Sequence, residues 1–233
     1  NSFLNNCFIF IYILNKEFIP YFFLPIKTKQ KEQKGTDPFC LEKYKIKKGW
    51  RKMKEFNKKI VLEDGEEYLG YGFGANVESI CEIVFNTSMV GYQEIVSDPS
   101  YTYQMVVMTY PLIGNYGITD DDYETGKPSI GGLVVREYND HPSNFRYTKT
   151  LSEYLEENNI PGIYGVDTRK ITRSIRDKGS RKVIITDIST TKEEAMEKMK
   201  NYQIPKDAVS KVSCKKKWYA RTANAKYNVV AVD

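Results

Sequence analysis

The pattern of apolar and polar positions changes period partway along the chain. Between residues 59 and 135 apolar residues come in short bursts rich in β-formers. The stretch Lys59–Leu69 places Asp64-Gly65 between two strand-like runs, which predicts a β-hairpin closed by a tight type I′ turn. Glu82–Phe85 predicts a further strand, and Met89–Ser97 a short helix stopped by Pro99. Gln104–Tyr110 reads as a strand that stops at Pro111. Residues 114–128 are polar and carry glycine, hence loop, and Ile130–Val135 is a short apolar strand.

Beyond residue 150 a helical period takes over. Leu151, Tyr154, Leu155 and Asn158 fall on the i, i+3, i+4, i+7 stripe, and Thr150 with Glu153 has the spacing of a capping box. Ile163 and Val166 mark an extended piece. Asp167 can cap the next helix, whose Ile171 and Ile175 share a face and whose end is marked by Gly179. Lys182–Thr186 predicts a strand, and Thr191 with Glu194 a second capping box, for a helix running to about Lys200. Lys206–Tyr227 is polar and reads as a linker, and Asn228–Asp233 is an apolar run of the kind found in buried parallel strands. Strands first, then alternating helices and strands, give an α/β class: a mixed domain with a strand-rich first half.

Residues 1–52 stand apart. Nineteen of the first 27 are Asn, Phe, Ile, Tyr or Lys, the residues that A/T-only codons encode. The apolar run Cys7–Leu14 is broken by Asn15, Lys16 and Glu17, too short for a membrane span, and no basic segment precedes it as in a signal peptide. This segment is expected to be translated upstream sequence with Met53 the true start; a membrane anchor is the rival reading. The expected organisation is therefore 1–52 leader, 53–205 domain, 206–227 linker and 228–233 the first strand of a further domain.

Charge narrows the partners. Of the chain's 35 Lys and Arg and 30 Asp and Glu, residues 1–52 hold 11 and 4, so residues 53–233 hold 24 and 26. The globular part is slightly acidic, which removes the electrostatic case for a nucleic-acid binder. Four cysteines (Cys7, Cys40, Cys81, Cys214) without a C-x-x-C pair argue against a zinc site or disulfide framework and for a reducing, cytoplasmic setting.

No constellation of catalytic residues emerges. Gly70–Ala75 matches G-x-G-x-x-A superficially, but a strand and not a helix should follow it. Cys81 as a nucleophile would need a base, and the chain's one histidine, His141, sits in a distant loop; a half-buried strand cysteine is the simpler reading. Asp120-Asp121-Asp122 has no further ligand at fixed spacing and reads as a solvated loop. Lys215–Arg221 mixes cations and aromatics as single-strand binders do, but one such patch in an acidic domain reads as linker surface.

One run is more specific. Val84–Glu94, VFNTSMVGYQE, is similar to the V-F-N-T-S-M-T-G-Y-Q-E segment of the small chain of glutamine-hydrolysing carbamoyl phosphate synthase, departing at Val90. The likeness continues in order through Asp98–Tyr101, Thr109–Asn115, Ser143–Arg146, Leu151–Leu155, Asp167–Arg173 and Arg176–Gly179, and covers roughly residues 58–233.

The resemblance implies a mixed, swivelling β/β/α-type domain that docks on a large synthetase chain. It implies a class I glutaminase domain with a Cys-His-Glu triad in the complete small chain, which this sequence does not contain, so the chain is expected to be an inactive fragment alone with no catalytic residue of its own. ATP and Mg belong to the large chain; no cofactor or metal is expected here. The complex would make carbamoyl phosphate from glutamine, bicarbonate and ATP for arginine and pyrimidine biosynthesis. One family site residue maps onto this chain: Ser100, in Asp98-Pro-Ser-Tyr101, falls at a glutamine-contacting position. The alternative reading is a stand-alone, non-catalytic scaffold or binding domain that has lost its glutaminase.

Overall fold

The computed structural model describes residues 55–217, 219, 226–227 and 229–230. The chain divides between Arg51 and Lys52, and every described residue belongs to the unit Lys52–Asp233. The leader at 1–52 and the start at Met53 lie outside the described residues.

In chain order the elements are β1 (Lys58–Leu62), β2 (Glu67–Gly74), β3 (Ser79–Asn86), α1 (Tyr92–Ser97), β4 (Gln104–Met108), β5 (Leu112–Ile113), β6 (Gly132–Val134), β7 (Glu137–Tyr138), α2 (Leu151–Glu157), β8 (Pro161–Tyr164), α3 (Thr168–Lys178), β9 (Lys182–Asp187), α4 (Lys192–Asn201) and α5 (Ala208–Val212). Seven strands close into a barrel in the order β1-β2-β8-β6-β4-β3-β9, with β9 returning to β1. β3, β4, β6 and β8 run parallel to one another, and the remaining contacts around the wall are antiparallel. Closure leaves the barrel without a free edge for another chain to pair with. β5 and β7 form a separate parallel pair. This is the mixed α/β, strand-rich architecture that the residue pattern predicts.

Alternation along each strand sorts side chains between two environments. Ile60 and Leu62 of β1, Ile83 of β3, Met105 and Val107 of β4, Val134 of β6, Ile163 of β8, and Val183 and Ile185 of β9 share one buried cluster with Tyr68, and Ile171 and Ile175 of α3 enter it. The residues between them face the other way. Val106, Met108 and Leu133 pack with the residues of α1 and α2, and Val61 and Ile184 pack with Ala195 and Met199 of α4. With both faces covered, β1, β4 and β9 read as continuous apolar runs. Just before β6 a side chain is excluded: a Cβ on Gly131 would collide with the Cys81 Sγ.

The helix boundaries follow local chemistry. Thr150 and Thr191 each accept from the third helical N–H while Glu153 and Glu194 reach back to the cap N–H, so both capping boxes form. Asp167 accepts from Lys170 N, and Gly179 ends α3 at φ +84°.

One expectation needs correction. The β1–β2 turn is not type I′, which requires positive φ at both central residues. Here only Gly65 is left-handed, at φ +84°, and the paired bonds Gly65 N to Leu62 O (2.8 Å) and Leu62 N to Glu66 O (2.9 Å) enclose a three-residue loop with a glycine bulge. Within the polar segment 206–227 the short helix α5 forms, with Lys211 N bonded to Asp207 O at 2.9 Å. Of the run 228–233 only Val229 and Val230 are described, both exposed, so the expected strand lies largely outside the described residues.

Candidate functional site

The turn Asp98–Tyr101 is built to hold one serine outward. Pro99 biases the residue before it to extended backbone, and Asp98 sits at φ −71°, ψ 118°, so α1 must end there. Pro99 then opens a single 3-10 turn, where its missing N–H costs nothing. The Asp98 carboxylate accepts from Ser100 N at 2.8 Å, and Pro99 O accepts from Thr102 N at 3.1 Å and from the Thr102 hydroxyl at 2.7 Å. Asn86 Nδ2 donates to the Tyr101 hydroxyl at 3.0 Å, which ties the turn to the end of β3. Ser100 itself is exposed, and its hydroxyl has no hydrogen bond among the described residues. It can therefore both donate to and accept from something outside the domain.

Behind the turn, α1 is clamped to the polar segment 114–128. No side chain caps α1 from its own N-cap, Gly91. Instead the Tyr116 hydroxyl accepts from Gly91 N at 3.0 Å and Tyr92 N at 2.9 Å, and the Tyr92 and Tyr116 rings stack at 4.0 Å. Fully buried Gln93 donates to Thr119 O at 2.6 Å and accepts from Thr119 N at 2.8 Å. Ser97 closes the clamp, accepting from Glu124 N at 3.0 Å while its carbonyl accepts from the Thr125 hydroxyl at 2.7 Å.

Three residues beyond Ser100, Tyr103 takes a left-handed backbone, φ 62°, which is uncommon for a bulky side chain. Its hydroxyl donates to Asp207 Oδ1 at 3.0 Å and accepts from Lys211 Nζ at 3.2 Å, and the same Nζ lies 4.6 Å from the ring centre. The strand end that follows the turn is thus clasped by α5. Tyr103 also borders an open groove of about 490 Å³ shared with Cys81, Ser129 and Tyr202.

The rejected candidates sit in other settings. Gly70–Gly74 lies within β2 with no helix after it, so no dinucleotide turn exists there. Cys81 is 4% exposed, and burial raises its thiol pKa despite a 3.1 Å contact with Ser79 Oγ. His141 lies in an exposed Asn139 turn, and nothing places it beside Cys81. The three aspartates are held by their own chain: Asp120 accepts from Thr148, Asp121 pairs with Arg146 at 2.9 Å, and Asp122 accepts from Thr119. Among the described residues no group of His, Cys, Asp or Glu could hold a metal ion. Trp218 and Arg221 of the basic-aromatic patch lie outside the described residues.

The family model for the CPSase domain of the carbamoyl-phosphate synthase small chain matches residues 60–185. The chain belongs to that family. The matched carbamoyl phosphate synthase segment begins in β1 and ends in β9, so it takes in every strand of the barrel together with the Ser100 turn. The carbamoyl phosphate synthase small chain of Fusobacterium nucleatum is 52% identical over 160 residues, 69% of this chain and 45% of that protein. Those of Oceanobacillus iheyensis and Staphylococcus epidermidis are 50% and 54% identical over 156 residues, 67% of this chain and 43% of each relative. The chain spans about half the length of the curated relatives it matches. A solved aminopeptidase from Aneurinibacillus sp. strain AM-1 shares 14% identity at a TM-score of 0.34, over 57% of this chain and 30% of that one, too distant a likeness to bear on fold or function.

Ser100 is a candidate through the family likeness alone, and the local sequence shows only part of what holds its turn. The Asp98-Pro99 pair carries a local turn signal, because Asp-Pro favours turn initiation. Tyr103, Asp207 and Lys211 carry none, since their contact spans more than a hundred residues.

Proposed function

We propose that this chain is the N-terminal domain of the small subunit of glutamine-hydrolysing carbamoyl phosphate synthase, a ligase. In this reading it docks on the large synthetase chain, which carries ATP and Mg, and works with the family's glutaminase domain. Residues 206–227 then lead toward that domain. The complex makes carbamoyl phosphate from glutamine, bicarbonate and ATP in the cytoplasm, for arginine and pyrimidine biosynthesis. Among the described residues no helix is long and apolar enough to cross a membrane.

The contribution proposed for this chain is positioning, not bond-making. The observation that carries it is Ser100: an exposed hydroxyl on a turn fixed by Asp98, feeding a strand end that α5 clasps through Tyr103. A hydroxyl so placed hydrogen-bonds a polar group of glutamine held by the neighbouring domain.

Ser100→Ala, made in a small chain extended to the length of its relatives and assembled with the large chain, tests this. Loss of one hydrogen bond to the substrate is expected to raise the glutamine KM roughly 5- to 10-fold with kcat little changed. Ammonia-dependent synthesis should not respond. An unchanged glutamine KM refutes the contact, and failure of the wild-type chains to assemble refutes the subunit reading.

A further inference from the structure

The segment Asp167–Arg173 carries part of the family likeness, yet folding accounts for only some of it. Asp167 caps α3, accepting from Lys170 N at 3.0 Å, and Ile171 is fully buried in the barrel core. Arg169 and Arg173 serve neither purpose. Both are exposed, and neither has an ion pair, hydrogen bond or ring contact among the described residues. The other cations of α3 are engaged. Lys170 lies 5.3 Å from the Tyr68 ring centre, Arg176 pairs with Asp177 at 2.9 Å, and Lys178 bridges Asp64 and Glu66 at 2.8 Å each.

Arg169 and Arg173 are four residues apart, so they share one face of the helix. Like charges at that spacing oppose helix formation. Exposed Arg136 lies beside the entry to α3, where its carbonyl accepts from Gly165 N at 2.9 Å, and it too has no ion pair among the described residues.

We infer that the Arg169–Arg173 face of α3, with Arg136, is a docking surface for a cluster of Asp and Glu side chains on the large chain. This rests on the proposed docking and adds where it occurs and through what chemistry. Guanidinium groups bind carboxylates through paired N–H donors, which fixes register as well as charge. The arginines are exposed to solvent, so a small anion there stays hydrated and screened. A carboxylate brought by a protein surface loses that water as the interface closes, and its attraction strengthens. A polyanion is disfavoured because residues 53–233 carry 24 basic and 26 acidic side chains.

Binding of the 233-residue chain to the large chain from the same organism is the test, read by interferometry at about 50 and 150 mM salt. Arg169→Glu/Arg173→Glu is expected to weaken binding at least about 30-fold, and Arg169→Lys/Arg173→Lys by less. A charge-matched control on α4, Lys192→Glu/Lys200→Glu, should stay within about threefold of wild type. Unchanged circular dichroism establishes that each variant is folded. If the wild-type chain binds and the Arg169/Arg173 reversal changes Kd less than about threefold, the surface is wrong while the docking reading survives. If the wild-type chain does not bind, both fall. If the reversal leaves large-chain binding intact but abolishes binding to a labelled DNA duplex, the face belongs to nucleic acid and the inference is overturned.

Discussion

Gln93 is the residue whose loss should most clearly expose how the Ser100 turn is held. Its side-chain amide pairs with both backbone groups of Thr119, donating at 2.6 Å and accepting at 2.8 Å. Gln93 is 0% and Thr119 1% exposed, so water cannot replace either bond. Gln93→Leu keeps the approximate volume and removes both bonds at once, leaving the Thr119 N–H and carbonyl unpaired. Each orphaned backbone group costs about 1–3 kcal/mol, and the added apolar burial returns about 1 kcal/mol. The expected net loss is about 1–5 kcal/mol, a large share of the roughly 5–15 kcal/mol that holds a domain together. Urea unfolding followed by circular dichroism reads this as a drop in midpoint of about 0.5–2.5 M. Gln93→Glu sharpens the test. A buried carboxyl facing Thr119 O has a raised folded pKa, so its penalty grows as pH rises above the unfolded value of about 4.3. That variant should therefore be more destabilised at neutral pH than near pH 4. A Gln93→Leu variant within about 0.5 kcal/mol of wild type would show that the amide bridge does not hold α1.

Two further outcomes follow from groups elsewhere in the barrel. Asp64 and Glu66 titrate below their ordinary values. At Asp64 burial pulls upward but is outweighed by the Lys178 hydrogen bond, the Glu66 N–H and the Arg181 charge, while at Glu66 the Lys178 hydrogen bond leads and the Tyr68 hydroxyl follows. Carboxylates with depressed folded pKa stabilise the fold above their unfolded values, near about 4, and lose that contribution as pH falls through the folded values. Lys178→Met should accordingly move the midpoint of acid unfolding to higher pH, and an unchanged midpoint would show that the cluster is not coupled to folding. Cys81, buried and with its thiol pKa raised by burial, should resist alkylation in the native protein while exposed Cys214 reacts, as peptide mass mapping would show. Native labelling of Cys81 at the rate of Cys214 contradicts the packing described.

The legible parts of this fold are those whose signal is local. Thr150 with Glu153, Thr191 with Glu194, and Asp167 with Gly179 bracket three helices, because capping chemistry lies within a few residues of the boundary it sets. Closure of the barrel was not legible. It depends on pairs such as Val61 with Ile184, more than a hundred residues apart, and alternation says which face is buried but not which strand is adjacent. Asp64-Gly65 marked the hairpin, yet its turn type was set by a register that pairs Val61 with Glu67 and so leaves three residues in the loop. β5, β7 and α5 are two, two and five residues long, too short for a period to register. At the site, the Asp98-Pro99 turn could be read locally, whereas the clasp of Tyr103 by α5 could not.

β4 connects the two surfaces on which the functional reading depends. The Ser100 turn feeds directly into it, and Ile171 and Ile175 of α3 pack with its Met105 and Val107 inside the barrel. In a closed barrel with a filled interior, neighbouring strands cannot shift independently without opening the ladder on both sides. The α3 helix that bears Arg169 and Arg173 thus packs on the same strand that the Ser100 turn leads into. Under the proposed docking, a large chain gripping α3 would also fix where Ser100 stands, and substrate contacts tolerate displacements of only about 1 Å before rates fall. On this view the barrel transmits position rather than motion, and a substitution that loosens the β3–β4 wall should raise the glutamine KM even when both surfaces are left intact.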